Sequence, residues 1–414
     1  GEGGAPMDFA LAYSLSSLLR RRFNVVACFF AFGNRLWVRV SAQVYVTTRD
    51  VAALADAIDA LRADDAVAHV ARLSVTGELG FEVNVPAAHV GALADALLAA
   101  QRRLAPAVLG AASAPLPNVT HNRRAKESPN LSDDTVDDAL GVLRVDDAAS
   151  NAPLAVLFNF AVHSTCYGPD NMRFSSDFSG TAANLVEQRV SGEHFVALYF
   201  NADAGDVAPA HGMCDAGPAF VGSAKVADAV VKLRAATRVV PNATVAAASV
   251  VHDFGRTNLN VTFERFGNCT TGGPLDVCGI CRVLGCDDNI ELPSSWVTTA
   301  PKFTAVRVAA PAGGGAIATM ATIPGEALTF VGLELRHDMA GAPAPPGAVF
   351  LLGYSQAHMG YFCDAREYAV GGYESQLTMW GIDTSQHVSR GVRDALNALP
   401  PLPRSPRVAA VDAA

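Results

Sequence analysis

The sequence predicts an α/β fold with a mixed central sheet flanked by helices, preceded by a small α+β N-terminal piece. Three observations predict it. The run Leu154–Val162 (LAVLFNFAV) is almost continuously apolar, as a strand buried on both faces would be. Phe195–Phe200 (FVALYF) has the same character. Between and after such runs lie stretches of helical period, and strands separated by helices indicate a layered α/β architecture.

From the N-terminus, Val25–Phe32 (VVACFFAF) reads as a buried strand, although the preceding Arg20, Arg21 and Arg22 also suit the start of a signal peptide. Val38–Thr47 alternates apolar and polar residues and reads as a strand. Asp50–Leu61 reads as an amphipathic helix with Asp50 as N-cap. A strand pair is expected over Ala71–Val85 around Gly77 and Gly80, then a helix over Ala87–Leu104. The alanine-rich stretch with Pro106, Pro115 and Pro117 reads as a linker, which places a domain boundary near residue 110. Beyond it, strands are expected at Gly141–Val145, Leu154–Val162, Phe195–Phe200, Val245–Phe254, Phe303–Ala310, Ala316–Ile323 and Ala348–Tyr354. Helices are expected at Ser179–Val190, Gly222–Ala236 and Ser389–Leu399. The resulting domains are 1–110, 111–400 and a Pro/Ala-rich tail at 401–414.

Composition narrows the function. Half of the 414 residues are hydrophobic and 17% are charged, so the chain can bury a large core. The formal charge of −9 argues against a nucleic-acid partner, which would call for a net basic face. No run approaches the roughly 20 apolar residues of a membrane-spanning helix. Asn-x-Ser/Thr triplets at Asn118, Asn130, Asn242, Asn260 and Asn268 point to the secretory route or the cell surface. Cys269, Cys278, Cys281 and Cys286 crowd one Gly-rich stretch; their spacing fits no standard zinc finger, and two local disulfides are the simpler reading.

Residues with chemical potential collect at the ends of the apolar strands, where ligands bind in open α/β sheets. One strand delivers His163, another Asn201, Asp203 and Asp206, and a third Pro324, Gly325 and Glu326. The strand ending at Tyr354 leads to His358, Tyr361, Tyr368 and Tyr373. Imidazole and carboxylate are ordinary zinc ligands.

The order and wording of these stretches resemble the neutral (non-lysosomal) ceramidase family. The similar segments are NVTHNRR at 118–124, LFNFAVHSTCYG at 157–168, SSDFSG at 175–180, NADAGDVAP at 201–209, ATIPGE at 321–326 and GYFCDAREYAVGGYES at 360–375. The resemblance implies a zinc amidohydrolase that splits ceramide, or a related N-acyl lipid, at a membrane or micelle surface. It implies His163, Glu326 and Tyr361 as zinc ligands, Arg123 as an active-site arginine, and Tyr373 as a tyrosine beside the reacting carbonyl. Asp177 and Asp206 match acidic positions in the site walls, Asp206 being the one taken into the catalytic set.

The same resemblance exposes departures. The family's upstream H-T-H-S-G-P segment, which carries a further zinc ligand, has no counterpart in residues 1–110. The serine of the family's G-D-V-S-P is Ala208, and the Asn two residues on is Ala210. The catalytic domain is expected to be truncated, lacking the C-terminal immunoglobulin-like domain. A second, short resemblance lies at 71–110: TGELGFE at 76–82 is similar to a motif of folate-binding aminomethyltransferases and dimethylglycine dehydrogenases. The expectation is therefore a zinc-dependent ceramidase. The alternatives are an impaired relative that binds lipid or metal, or a fused fragment of a folate-dependent transferase.

Overall fold

A computed structural model describes residues 28–32, 35–39, 41–42, 75–78, 80–83, 99, 102–168, 171, 175–192, 194–215, 219–258, 298–311, 314–341 and 347–402. The chain divides into two compact units, Gly1–Ala105 and Pro106–Ala414. The expected helix over 50–61, most of the helix over 87–104, the cysteine cluster at 269–286 and most of the 401–414 tail lie outside the described residues.

In the first unit, β1 (Cys28–Phe32) pairs antiparallel with β2 (Arg35–Arg39). The strand expected over 38–47 is divided: β2 ends at Arg39, and β3 (Ser41–Ala42) belongs to a different sheet. That sheet has the order β3-β5-β4, where β4 (Val75–Glu78) and β5 (Gly80–Val83) form the expected hairpin.

The second unit is built on two four-stranded sheets. The first contains β6 (Ala107–Pro115), β8 (Ala139–Asp147), β9 (Pro153–Phe160) and β10 (Val196–Asn201); the short β7 (Thr120–Asn122) lies outside it. Its order is β10-β9-β8-β6, and only β9 and β10 are parallel. The stretch expected as a linker is thus an edge strand. Ala, Gly and Ser have weak strand preference, so its sequence hides what pairing with β8 enforces. Helices α1 (Asp177–Arg189) and α2 (Val221–Ala236) cover this sheet, and Phe158, Phe160, Phe178, Val186, Val226 and Val230 fill the layer between.

A three-residue β11 (Val207–Pro209) follows β10 and pairs with β7. The second sheet contains β12 (Thr244–Val251), β13 (Lys302–Ala309), β14 (Ala316–Thr322) and, after the short β15 (Glu326–Ala327), β16 (Ala348–Leu352). Here β14 and β16 are the parallel pair. Helix α3 (Thr329–Ala340) was not expected; its N-cap residue, Leu328, has no capping side chain, so the local start signal is missing, and the first N–H is met instead by Asp206 from far along the chain. It follows the buried Leu328 and packs Val331, Leu335 and Met339 into the core. After β17 (Tyr361–Phe362) come two short helices, α4 (Ala365–Val370) and α5 (Tyr373–Gln376). The last helix, α6 (Thr384–Asn397), begins five residues before the expected start. It approaches β13 so closely that a Cβ at Gly391 would lie 2.4 Å from the Phe303 ring, so only glycine fits.

The two sheets meet through β16. Buried Asn159 of β9 donates to Phe200 O at 2.9 Å within its own sheet and to Leu351 O at 2.8 Å in the other. A polar side chain with both protons committed ties the layers in one register. Both parallel pairs, β9/β10 and β14/β16, send their following loops to a common region.

Candidate functional site

That region is assembled from four loops. The turn after β10 comes within contact of the turn carrying Glu326: Gly205 N donates to Ala327 O at 2.9 Å, and a Cβ on Gly205 would lie 2.8 Å from the carbonyl oxygens of Glu326 and Ala327. The loop after β16 is stapled to the same turn. Ser355 N donates to Ile323 O, Tyr354 N to Gly325 O and Met359 N to Pro324 O, all at 2.9–3.0 Å. Within this loop Tyr354 and Gln356 have φ of 56° and 78°. Bulky residues in the left-handed region are strained, and such strain gathers at functional sites.

Glu326 is the centre of the arrangement. It is nearly buried, and its carboxylate meets two imidazoles: His163 Nε2 at 3.0 Å from Oε2, and His358 Nε2 at 3.0 Å from Oε1. The Tyr354 hydroxyl donates to Oε2 at 3.2 Å. Burial pushes the Glu326 carboxyl up, but hydrogen bonds and charge from His163 and then His358 outweigh it and hold it down to about 2. Glu326 is therefore a carboxylate at neutral pH.

His163 is fixed from behind. Its Nδ1 lies 2.5 Å from Ala204 O, and its backbone N donates to Val207 O at 3.0 Å. A neutral imidazole that gives its Nδ1 proton to Ala204 turns an Nε2 lone pair toward the Glu326 carboxylate. Two acceptors then face each other, and either a proton or a cation must lie between them. Metal-binding histidines commonly give their other N–H to a backbone carbonyl in this way.

Tyr361 joins through its hydroxyl, which accepts from Arg123 Nη2 at 3.2 Å. Burial, then the Glu326 charge, raise its pKa, while Arg123 opposes them, so the phenol is protonated at neutral pH. Arg123 Nε donates to Glu374 Oε1 and Nη2 to Gly205 O, both at 2.8 Å. Burial works against its charge, but Glu374 and Tyr361 outweigh it and hold the guanidinium above its usual pKa. Its Cζ lies 5.8 and 5.9 Å from the Tyr361 and Tyr373 ring centres. Tyr373 is half exposed and packs edge-on against Tyr361 at 5.6 Å.

The structure therefore brings together His163, Glu326, Tyr361, Arg123 and Tyr373. The two aspartates stand apart from the open face. Asp206 is buried, and its oxygens accept from Asn122 Nδ2, Thr329 N and Thr329 Oγ1 at 2.8 Å each. With both carboxylate oxygens taken up by these donors, it fastens β7 and α3 to the β10 turn, while its backbone O accepts from Arg123 N at 2.9 Å. Asp177 accepts from the backbone N–H groups of Cys166 and Tyr167 at 3.0 Å and so shapes the loop after His163. Tyr368 is buried beside Leu328 and Cys363.

Two members were not assigned roles from the sequence. His358 stands three residues before Tyr361, with no motif to mark it. Glu374 follows Tyr373, and its role depends on Arg123 and Arg124, some 250 residues away.

Nitrogen and oxygen donors of this kind suit zinc, with His163, Glu326 and Tyr361 as the set. Among the described residues, no three of His, Cys, Asp and Glu stand in a metal-holding arrangement. The imidazoles and Glu326 are instead drawn into direct hydrogen bonds. The chemistry of the donors fits the ion, and their contact distances fit an arrangement closed in on itself.

A family model for neutral/alkaline non-lysosomal ceramidase, N-terminal, matches residues 66–226. Among solved structures, neutral ceramidase from Pseudomonas aeruginosa aligns with a TM-score of 0.58 at 21% identity, covering 77% of this chain and 56% of that one. The fold is that of the neutral ceramidases. A ceramidase complexed with C2 aligns with a TM-score of 0.56 at 20% identity, covering 74% of this chain and 55% of that one. The chain thus spans a little over half the length of the ceramidases it matches. No curated protein matches it. The ceramidase family match already runs through residues 71–110, and no comparison supports the aminomethyltransferase resemblance there.

Proposed function

We propose that the chain belongs to the neutral ceramidase family and is a zinc-dependent amidohydrolase, cleaving the N-acyl bond of ceramide to sphingosine and a fatty acid. The observation that carries this reading is the His163–Glu326 pair: an imidazole locked by Ala204 O, with its Nε2 3.0 Å from a buried carboxylate. The family match and the shared fold support it.

His163, Glu326 and Tyr361 would hold the ion. When bound there, zinc supplies Lewis acidity toward the amide carbonyl and makes water nucleophilic near neutral pH. Arg123, anchored on Glu374 and Gly205, would present a fixed positive charge to the acyl group of a bound substrate. The half-exposed Tyr373 hydroxyl would donate to the carbonyl oxygen as charge develops on it. Hydrolysis places the water's hydroxyl on the acyl carbon and its proton on the departing amine. The substrate would be met at a membrane or micelle surface; no helix among the described residues is long and apolar enough to cross a membrane.

A secretory or cell-surface location is part of the proposal. It is supported by the Cys166–Cys214 disulfide and by exposed asparagines at Asn118, Asn130 and Asn242.

One observation favours a second reading, a relative that binds lipid or metal without turnover. Ala208, where the resemblance expects a serine, pairs across β7/β11 with His121 and offers no hydroxyl. The experiment is hydrolysis of a fluorescent ceramide alongside metal analysis. About one zinc per chain, with fatty acid released and both lost on Glu326→Ala, is expected. A zinc-free, inert protein at neutral pH overturns the proposal. A zinc-loaded inert protein, rescued by Ala208→Ser, favours the second reading.

A further inference from the structure

We infer that His358 is a metal donor of this centre, joining His163, Glu326 and Tyr361; the inference rests on the zinc reading above. Each oxygen of the Glu326 carboxylate has its own imidazole partner, His163 on Oε2 and His358 on Oε1, both at 3.0 Å. These are hydrogen-bond distances; neighbouring donors around a tetrahedral zinc with bonds of about 2.0–2.2 Å stand roughly 3.3–3.5 Å apart, so an ion would have to part each imidazole from the carboxylate by a few tenths of an ångström.

The placement of His358 is built into the fold. Its loop is bonded by main chain to Ile323, Pro324 and Gly325, the three residues before Glu326. On the far side, Glu326 N donates to Gly360 O at 2.9 Å, and Glu326 sits opposite Tyr361 in the β15/β17 pair. The strained φ at Tyr354 and Gln356 belongs to this loop, and the His358 ring stacks on Tyr354 at 6.2 Å. Backbone that holds Glu326 and Tyr361 together therefore carries His358 with them.

His163, Glu326 and His358 do not already enclose a metal position. The carboxylate lies between the imidazoles and bonds to both. The His358 side chain is 47% exposed, so it can turn about its own bonds while its backbone stays in place. A cation would replace the two imidazole–carboxylate contacts with four donors around one centre: two nitrogens, a carboxylate and a phenol oxygen. The second imidazole would then come from the loop after β16.

The test measures zinc affinity by chelator competition and counts imidazole ligands by X-ray absorption, for wild type, His358→Ala and His358→Gln. Two imidazoles are expected in wild type and one in His358→Ala, with affinity at least ~100-fold weaker, the top of the range for losing only a ligand's hydrogen-bond partner. His358→Gln can still hydrogen-bond Glu326, so a purely structural role predicts that it restores affinity; a ligand role predicts that it does not. An unchanged imidazole count in His358→Ala, or rescue by Gln, overturns the inference and leaves the zinc reading standing. A wild-type protein that binds no zinc overturns both.

Discussion

Arg123 and Glu374 are joined by a 2.8 Å hydrogen bond from Nε to Oε1, and the second oxygen of the same carboxylate accepts from Arg124 Nη1 at 2.7 Å. One glutamate thus links an arginine that faces the site to one that is buried. Arg124 is in turn held by Glu367 and by Gly371 O. This chain of contacts ties the turn after β7 to α4 and α5, so that Arg123 cannot drift from Tyr361 and Tyr373.

Glu374→Gln is expected to lower kcat for ceramide about 10–100-fold by loosening Arg123, a fraction of the 10²–10³ lost with a direct oxyanion donor. Zinc content should stay at the wild-type level, because Glu374 makes no contact with His163 or Glu326 among the contacts seen. Glu374→Ala should in addition destabilise the fold by about 1–3 kcal/mol, since it leaves Arg124 Nη1 without its buried acceptor while Glu367 still pairs the guanidinium. Parallel kinetics and urea melts check this; an unchanged kcat in a folded Gln variant would refute the positioning role.

Asp206 supports the site without facing it. Asp206→Ala leaves Asn122 Nδ2 and both Thr329 donors unsatisfied in a buried setting, and a loss of about 3–5 kcal/mol is expected in denaturant melts. Asp206→Asn should be poorly tolerated too, because its amide would turn a donor toward a donor on Asn122 or Thr329. Wild-type stability in both variants would contradict this account.

The same contrast explains what the sequence could and could not reveal. The runs around Phe158 and Leu198 are legible as strands because they are almost continuously apolar, Asn159 apart. The ends of β9 and β14 led to His163 and Glu326 because residues just past parallel strands converge. Ala107–Pro115 escaped because its small residues carry no strand signal of their own. His358 and Glu374 escaped for a different reason. A lone histidine in a loop, or a glutamate after a tyrosine, gains meaning only from partners that the fold supplies from far along the chain. Asp206 lay within a recognisable motif, yet only the structure shows where its oxygens point.

The disulfide between Cys166 and Cys214 closes a loop of 48 residues between the segment after His163 and the start of α2. Constraining the unfolded chain over that span is expected to contribute about 2–4 kcal/mol. The Cys166→Ser/Cys214→Ser double variant should lose that stability in urea melts. Peptide mapping under non-reducing conditions should recover the 166–214 cross-link from wild type, whereas free thiols at both positions in oxidised protein would exclude it.

His387, packed against His252, makes a pH-dependent contribution to the fold. Their nitrogens lie 3.2 Å apart, and the His387 ring stacks on Phe254 at 4.9 Å. Burial, then His252 and Arg390, lower the His387 pKa, with Asp383 and Asp253 opposing them. A histidine that titrates lower in the folded state binds fewer protons there than in the unfolded chain. Stability from this source is therefore fully present above the unfolded pKa of about 6.5, and it is lost as pH falls through the lower folded value. Wild type should lose more of its urea midpoint between about pH 7 and pH 5 than His387→Gln does, because the variant has no proton to take up. Equal losses in the two proteins would mean that α6 is not held by a neutral His387.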